Sequence, residues 1–93
     1  MADEIIAAVG RIVIEAREEL GWSQLQLSKE TGIFLEPLAL LESGEQWMPD
    51  DSMELIEEAL GWQIGITRQI REEYDYADIE FIKLIWVRDP RKR

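Results

Sequence analysis

Apolar residues in the first twenty positions recur three and four apart. Between Asp3 and Leu20 the residues Ile5, Val9, Ile12, Val13, Ala16 and Leu20 fall on one stripe of a 3.6-residue turn, which predicts an amphipathic helix buried along that side. Gly21 ends it. Ser23 then opens a second helix with a capping box, because its hydroxyl can accept from an amide of the new turn and Gln26 is placed to return a bond to the Ser23 backbone. Leu25 and Leu27 belong to this short element, which stops at Gly32. A third helix is expected from about Leu35 to Ser43, with Leu38 and Leu41 inward, Pro37 in the first turn and Gly44 in the left-handed turn beyond the end. The loop Glu45-Gln46-Trp47-Met48-Pro49 leads to a fourth. That helix begins at Asp50 or Asp51, whose carboxylates suit a helix N-terminus, and runs through Met53, Ile56, Ala59 and Leu60 to Gly61. Ile66, Ile70 and Tyr74, four apart with Glu72 and Glu73 on the wet side, predict a fifth.

Beyond it, Ile79 to Val87 is so apolar on all sides that its period does not decide between strand and helix, although its β-branched and aromatic residues favour strand. Arg88, Arg91, Lys92 and Arg93 follow around Pro90. Such a tail reads as a solvated guard against aggregation, or else as a contact for nucleic acid or an acidic partner. The expected architecture is mainly α: a bundle of four to five short helices over residues 1–76 and a C-terminal extension over 77–93. Within that extension Ile79 to Val87, which includes Trp86, is a candidate homodimer or partner segment, burial within one copy being the other outcome.

Composition narrows the class. A chain of 93 residues has the length of one small domain, and 46% hydrophobic with 32% charged residues is a globular balance. Without cysteine there is neither a disulfide nor a thiolate metal site. The start, Met1-Ala-Asp-Glu, is acidic where a secretory leader needs positive charge, and no apolar run reaches the roughly 20 residues of a membrane span, so a cytoplasmic protein without a membrane partner is expected. With neither histidine nor cysteine, Ser23 or Ser28 lacks an imidazole to act as base, and both serines have capping or packing explanations. The adjacent acids Glu57 and Glu58, like Asp50 and Asp51, diverge around a helix and read as solvated. No Gly-rich phosphate loop is present. The chain is therefore read as a non-enzyme with neither metal nor cofactor.

The net charge is −10, from 10 basic and 20 acidic residues, and its distribution says more than its sum. Between Glu18 and Thr67 the single base is Lys29, while Glu30, Glu36, Glu42, Glu45, Asp50, Asp51, Glu54, Glu57 and Glu58 share the same stretch. An acidic surface keeps a protein dispersed, but a nucleic-acid surface needs the opposite sign.

Residues 9 to 62 nevertheless resemble the lambda-repressor-like (Xre/Cro) helix-turn-helix family. The family's Leu-Ser-Gln-x-x-Leu-Ala opening is matched by Trp22-Ser23-Gln24-Leu25-Gln26-Leu27-Ser28, its Gly-Val turn by Gly32-Ile33, and its Glu-x-Gly ending by Glu42-Ser43-Gly44. Leu38 and Leu41 take the buried positions of helix three, and Pro49, Met53 to Leu60 and Ala59-Leu60-Gly61 fit the loop, the fourth helix and its closure. The resemblance implies an ion pair between Arg17 and Glu42 that pins helix one to helix three, and places Trp22 and Trp62 in the core.

In that family the start of the third helix reads base edges in the major groove through polar side chains. Here those places hold Phe34, Leu35, Glu36, Pro37 and Leu40, and the loop that usually holds phosphates offers Glu45, Gln46, Trp47, Met48 and Asp50. A specific DNA complex gains much of its free energy from counterion release at several Lys or Arg contacts, and this face has about none. The expected function is a regulatory protein–protein interaction module on a helix-turn-helix scaffold, of a kind at home in phage or mobile-element settings. It would bind its partner through Phe34, Leu35, Glu36, Leu40, Trp47 and Met48, or its acids would imitate DNA. The alternative is a sequence-specific DNA-binding transcriptional regulator that uses Gln24, Leu35, Glu36 and Leu40, a dimer, the basic tail and indirect readout.

Overall fold

The computed structural model describes residues 2–73 as five helices: α1 (Ala2–Glu19), α2 (Gln24–Thr31), α3 (Leu35–Glu42), α4 (Asp50–Leu60) and α5 (Ile66–Glu73). No strand occurs among the described residues. Tyr74, the segment Ile79 to Val87 with its Trp86, the basic tail and the boundary between 76 and 77 lie outside them.

Glycines and one serine set the helix ends. Ser23 accepts from the Gln26 N–H at 3.1 Å and so caps α2. The Gln26 side-chain amide, expected to turn back to Ser23, donates forward to Glu30 at 2.8 Å, where a carboxylate offers a stronger, charge-assisted bond. At the far end of α4, Gly61 takes a left-handed conformation, Trp62 N–H donates to the Glu57 carbonyl and Gly61 N–H to that of Glu58. This is the Schellman arrangement, in which the residue after the glycine is turned back onto the helix. Trp62 lands in the core.

That core is built around Val9 and Val13 of α1, Leu27 of α2, Leu38 and Leu41 of α3, Met53 and Ile56 of α4, and Ile70 of α5. Trp22 is half-buried against it. The buried side of α1 is wider than its spacing predicts, taking in Ile6 and Ala8, because α2, α3 and α5 all pack on it. Leu20, expected inward, lies past the last turn of α1 and is exposed.

α1 and α3 meet at a distance that only glycine permits. A Cβ on Gly10 would stand 2.2 Å from the Leu41 carbonyl oxygen and 2.9 Å from that of Glu42. Glycine inside a helix costs about 0.5–1 kcal/mol relative to alanine, and close backbone approach is a reason to accept that cost. Gly44 closes the same seam: its φ of +81° disfavours a side chain, and a Cβ there would fall 2.8 Å from the Ala7 Cα.

Candidate functional site

The C-terminal end of α3 is fixed by a charged network. Arg17 grips Glu42 with two prongs, Nε to Oε2 at 2.8 Å and Nη2 to Oε1 at 3.0 Å, while its Nη1 donates to the Trp22 carbonyl at 3.0 Å. Gln24 Nε2 adds a bond to Glu42 Oε1 at 2.8 Å. Hydrogen bonding to Glu42 raises the pKa of Arg17 above its ordinary value; burial opposes this, and the charges of Glu42 and Glu18 add to it. One carboxylate thus joins α1, α3 and the start of α2. Gln24, the polar contact that a DNA-reading mode would use, has its amide directed into this network.

The opposite end of α3 is bare. The turn from α2 is tied by its own hydroxyls: Ser28 Oγ donates to the Ile33 carbonyl, Thr31 Oγ1 donates to the Leu27 carbonyl at 2.9 Å, and the Ile33 N–H donates to Thr31 Oγ1 at 3.2 Å. Ile33 is drawn into the core, and the next residue, Phe34, is left 84% exposed. Phe34 occupies the N-cap of α3 in an extended conformation and supplies no capping bond. Ser, Thr, Asp or Asn at an N-cap is worth about 1 kcal/mol over a residue that cannot cap. An aromatic ring here therefore gains neither burial nor a cap.

Beside Phe34 an open groove of about 350 Å³ runs between the start of α3, the 46–49 loop and α4. Phe34, Pro37, Trp47, Met48, Pro49 and Leu55 form much of its wall. Trp47 is half-buried against the core, and the Arg71 guanidinium of α5 lies 5.2 Å from the centre of its ring, a cation–π contact. Pro49, the N-cap of α4, supplies no side-chain capping bond either, so two helices begin at this groove with their first amides uncapped by their N-cap side chains. The surface around it is acidic. Glu36, Glu45, Asp51 and Glu54 are all exposed, and Asp50 meets Arg68 at 3.7 Å in a pair more than half exposed, which contributes little stability.

The structure divides the residues singled out from the sequence. Phe34, Trp47 and Met48 come together on the groove. Met48, expected as an exposed anchor, is only 5% exposed and belongs to the core, because the loop turns it inward under Trp47's neighbour Pro49; it forms floor rather than rim. Leu35, at 43%, and Glu36 are exposed on α3 outside the groove wall, and Leu40 is half-buried away from it.

Two features went unread in the sequence. Leu55 is exposed on the groove wall, and its signal was an apolar residue off the buried stripe of α4 marked by Met53, Ile56 and Leu60. Glu57, expected to be solvated, is fully buried and accepts from Gly65 N–H at 2.7 Å, from Thr67 N–H at 2.8 Å and from the Thr67 hydroxyl. It caps α5 from a neighbouring helix, where a carboxylate is favoured by the free amides and the helix dipole. Its signal was its place in the stripe, four residues after Met53 and three before Leu60. Among the described residues no acidic cluster is suited to a metal ion, and no helix is long and apolar enough to cross a membrane. No family model, curated protein or solved structure matches the chain.

Proposed function

We propose that this chain is a protein-interaction module built on a lambda-repressor-like helix-turn-helix scaffold whose third helix has exchanged base reading for apolar docking. The order and ends of α1 to α4, with the Arg17–Glu42 pair between the first and third, support the scaffold. The observation that carries the function is Phe34. It is a large aromatic residue placed at a helix N-cap and held in solvent by a turn that other side chains maintain. Exposed aromatic anchors beside a groove are what protein interfaces use, and an exposed residue that breaks a local structural rule is a functional candidate.

Electrostatics favours protein over DNA as the partner. From Lys29 to Arg68 the chain has no base, so α3 would enter a groove of phosphates carrying Glu36 and no cation. The test is a selection from random DNA duplexes in low salt with the full chain. No sequence should be enriched, and recovery of one, lost on changing Leu35 or Glu36, would replace this reading with that of a transcriptional regulator.

A further inference from the structure

We infer that the groove receives a cationic peptide segment of another protein, one that presents a single bulky aromatic or aliphatic side chain between Lys or Arg residues. The inference rests on the protein-binding reading above and specifies the chemistry of its partner. Three observations lead to it.

Size is the first. About 350 Å³ lies at the lower end of the range of about 300–1,000 Å³ found for small-ligand sites, room for one or two large side chains rather than for a broad domain surface. Its apolar walls, Phe34 and Leu55 on opposite helices with Trp47 between, suit a ring or a branched aliphatic group.

Charge is the second. Glu36, Glu45, Asp51 and Glu54 are exposed and adjoin wall residues in the chain, whereas the cations of α5 nearby are engaged, Arg68 with Asp50 and Arg71 with Trp47. Lys29, in the last turn of α2, is the remaining base on this side of the sequence. An acidic segment would meet repulsion, and a basic one would be drawn in and held in register.

Trp47 supplies the third. Its indole already carries a guanidinium at 5.2 Å, so the chemistry of a cation on this ring is present within the chain, and an arginine of the partner can take the same kind of seat by displacing Arg71.

The test is a display selection of short random peptides on the immobilised full chain, followed by fluorescence anisotropy with the recovered peptides. The expected consensus is one large apolar residue flanked by at least two Lys or Arg. Phe34→Ser and Leu55→Ser should each weaken binding at least about tenfold, as for central interface anchors. Glu36→Gln with Asp51→Asn should weaken it a few-fold, and so should raising NaCl from about 0.05 M to about 0.5 M, which screens exposed charges. Circular dichroism of each variant establishes that it remains folded. Enrichment of neutral or acidic peptides that still depend on Phe34 would overturn the cationic partner and leave the protein-binding reading standing. Basic peptides indifferent to Phe34 and Leu55, or no enrichment at all, would overturn the groove as their seat. A full chain that sediments as a dimer, and dissociates on Phe34→Ser, would make a second copy the occupant. Enrichment of a DNA sequence in the duplex selection would remove the parent reading itself.

Discussion

The two ends of α3 obey different rules. At its C-terminal end every group has a partner nearby: Leu38 and Leu41 are buried, Glu42 is held by Arg17 and Gln24, and the backbone of α1 presses close at Gly10. At its N-terminal end Phe34 and Leu35 face solvent, and the helix begins without a side-chain cap. One end is shaped by the needs of folding. The other departs from them, and a residue that departs from them without a structural return marks the place to look for function.

Substitutions measure how deep that contrast goes. The largest loss of stability is expected for Gly10→Ala. The new methyl would lie 2.2 Å from a backbone oxygen, which cannot rotate aside, so α1 and α3 must separate. Overpacking of this sort costs about 3 kcal/mol, and thermal denaturation should show a fall in Tm on the order of 15 °C for a domain of this size. A change of less than a few degrees would mean that the seam is looser than its geometry.

Next comes the charged network. Arg17→Ala leaves Glu42 buried with only the Gln24 amide, and removing one member of a buried pair is costly; with Arg17 partly solvated, a loss of about 2–3 kcal/mol is expected. Replacing both partners with apolar residues, Arg17→Met and Glu42→Leu, should restore most of that loss. The raised pKa of Arg17 favours its charged form in the folded state, so its contribution is fully present below the unfolded arginine pKa. It is lost only as pH rises through the folded value, in strong base, and urea titrations of the wild type should show no dependence traceable to Arg17 around neutrality.

Glu57 extends the closed region to α5. Glu57→Gln keeps the shape but sets an NH₂ group among donors from Gly65 and Thr67. The mismatch should cost about 2 kcal/mol, since charge-assisted bonds to buried groups are replaced by weaker or absent ones. Faster hydrogen exchange confined to the first turn of α5 would locate the effect there.

How much of this was legible beforehand follows the same division. Helix ends written in local chemistry, Ser23, Gly32, Gly44 and Gly61, were readable because a cap or a left-handed turn is decided by a few neighbouring residues. The exposed Phe34 was readable as an oddity of residue type at its position. Contacts between distant segments were not. Nothing beside Gly10 in the chain announces Leu41, and Glu57, flanked by Glu58, looks like part of a wet acidic run until α5 is set against it. Met48 misled for the same reason, because which way a loop side chain turns depends on the helices that flank it.

The smallest expected change in stability separates the two ends most cleanly. Phe34→Ser removes a ring that is 84% exposed, so little burial is lost, and it adds a hydroxyl at an N-cap, where serine is among the preferred residues. Stability should stay within about 0.5 kcal/mol of wild type or rise by about 1 kcal/mol, which would lift Tm by roughly 4–8 °C. Peptide binding at the groove should be lost in the same variant. A protein that becomes more stable as it loses its ligand shows that the residue was kept for the ligand, a trade known from functional sites generally. If the variant instead melts well below wild type, Phe34 is packed in solution, and the open end of α3 belongs to the core after all.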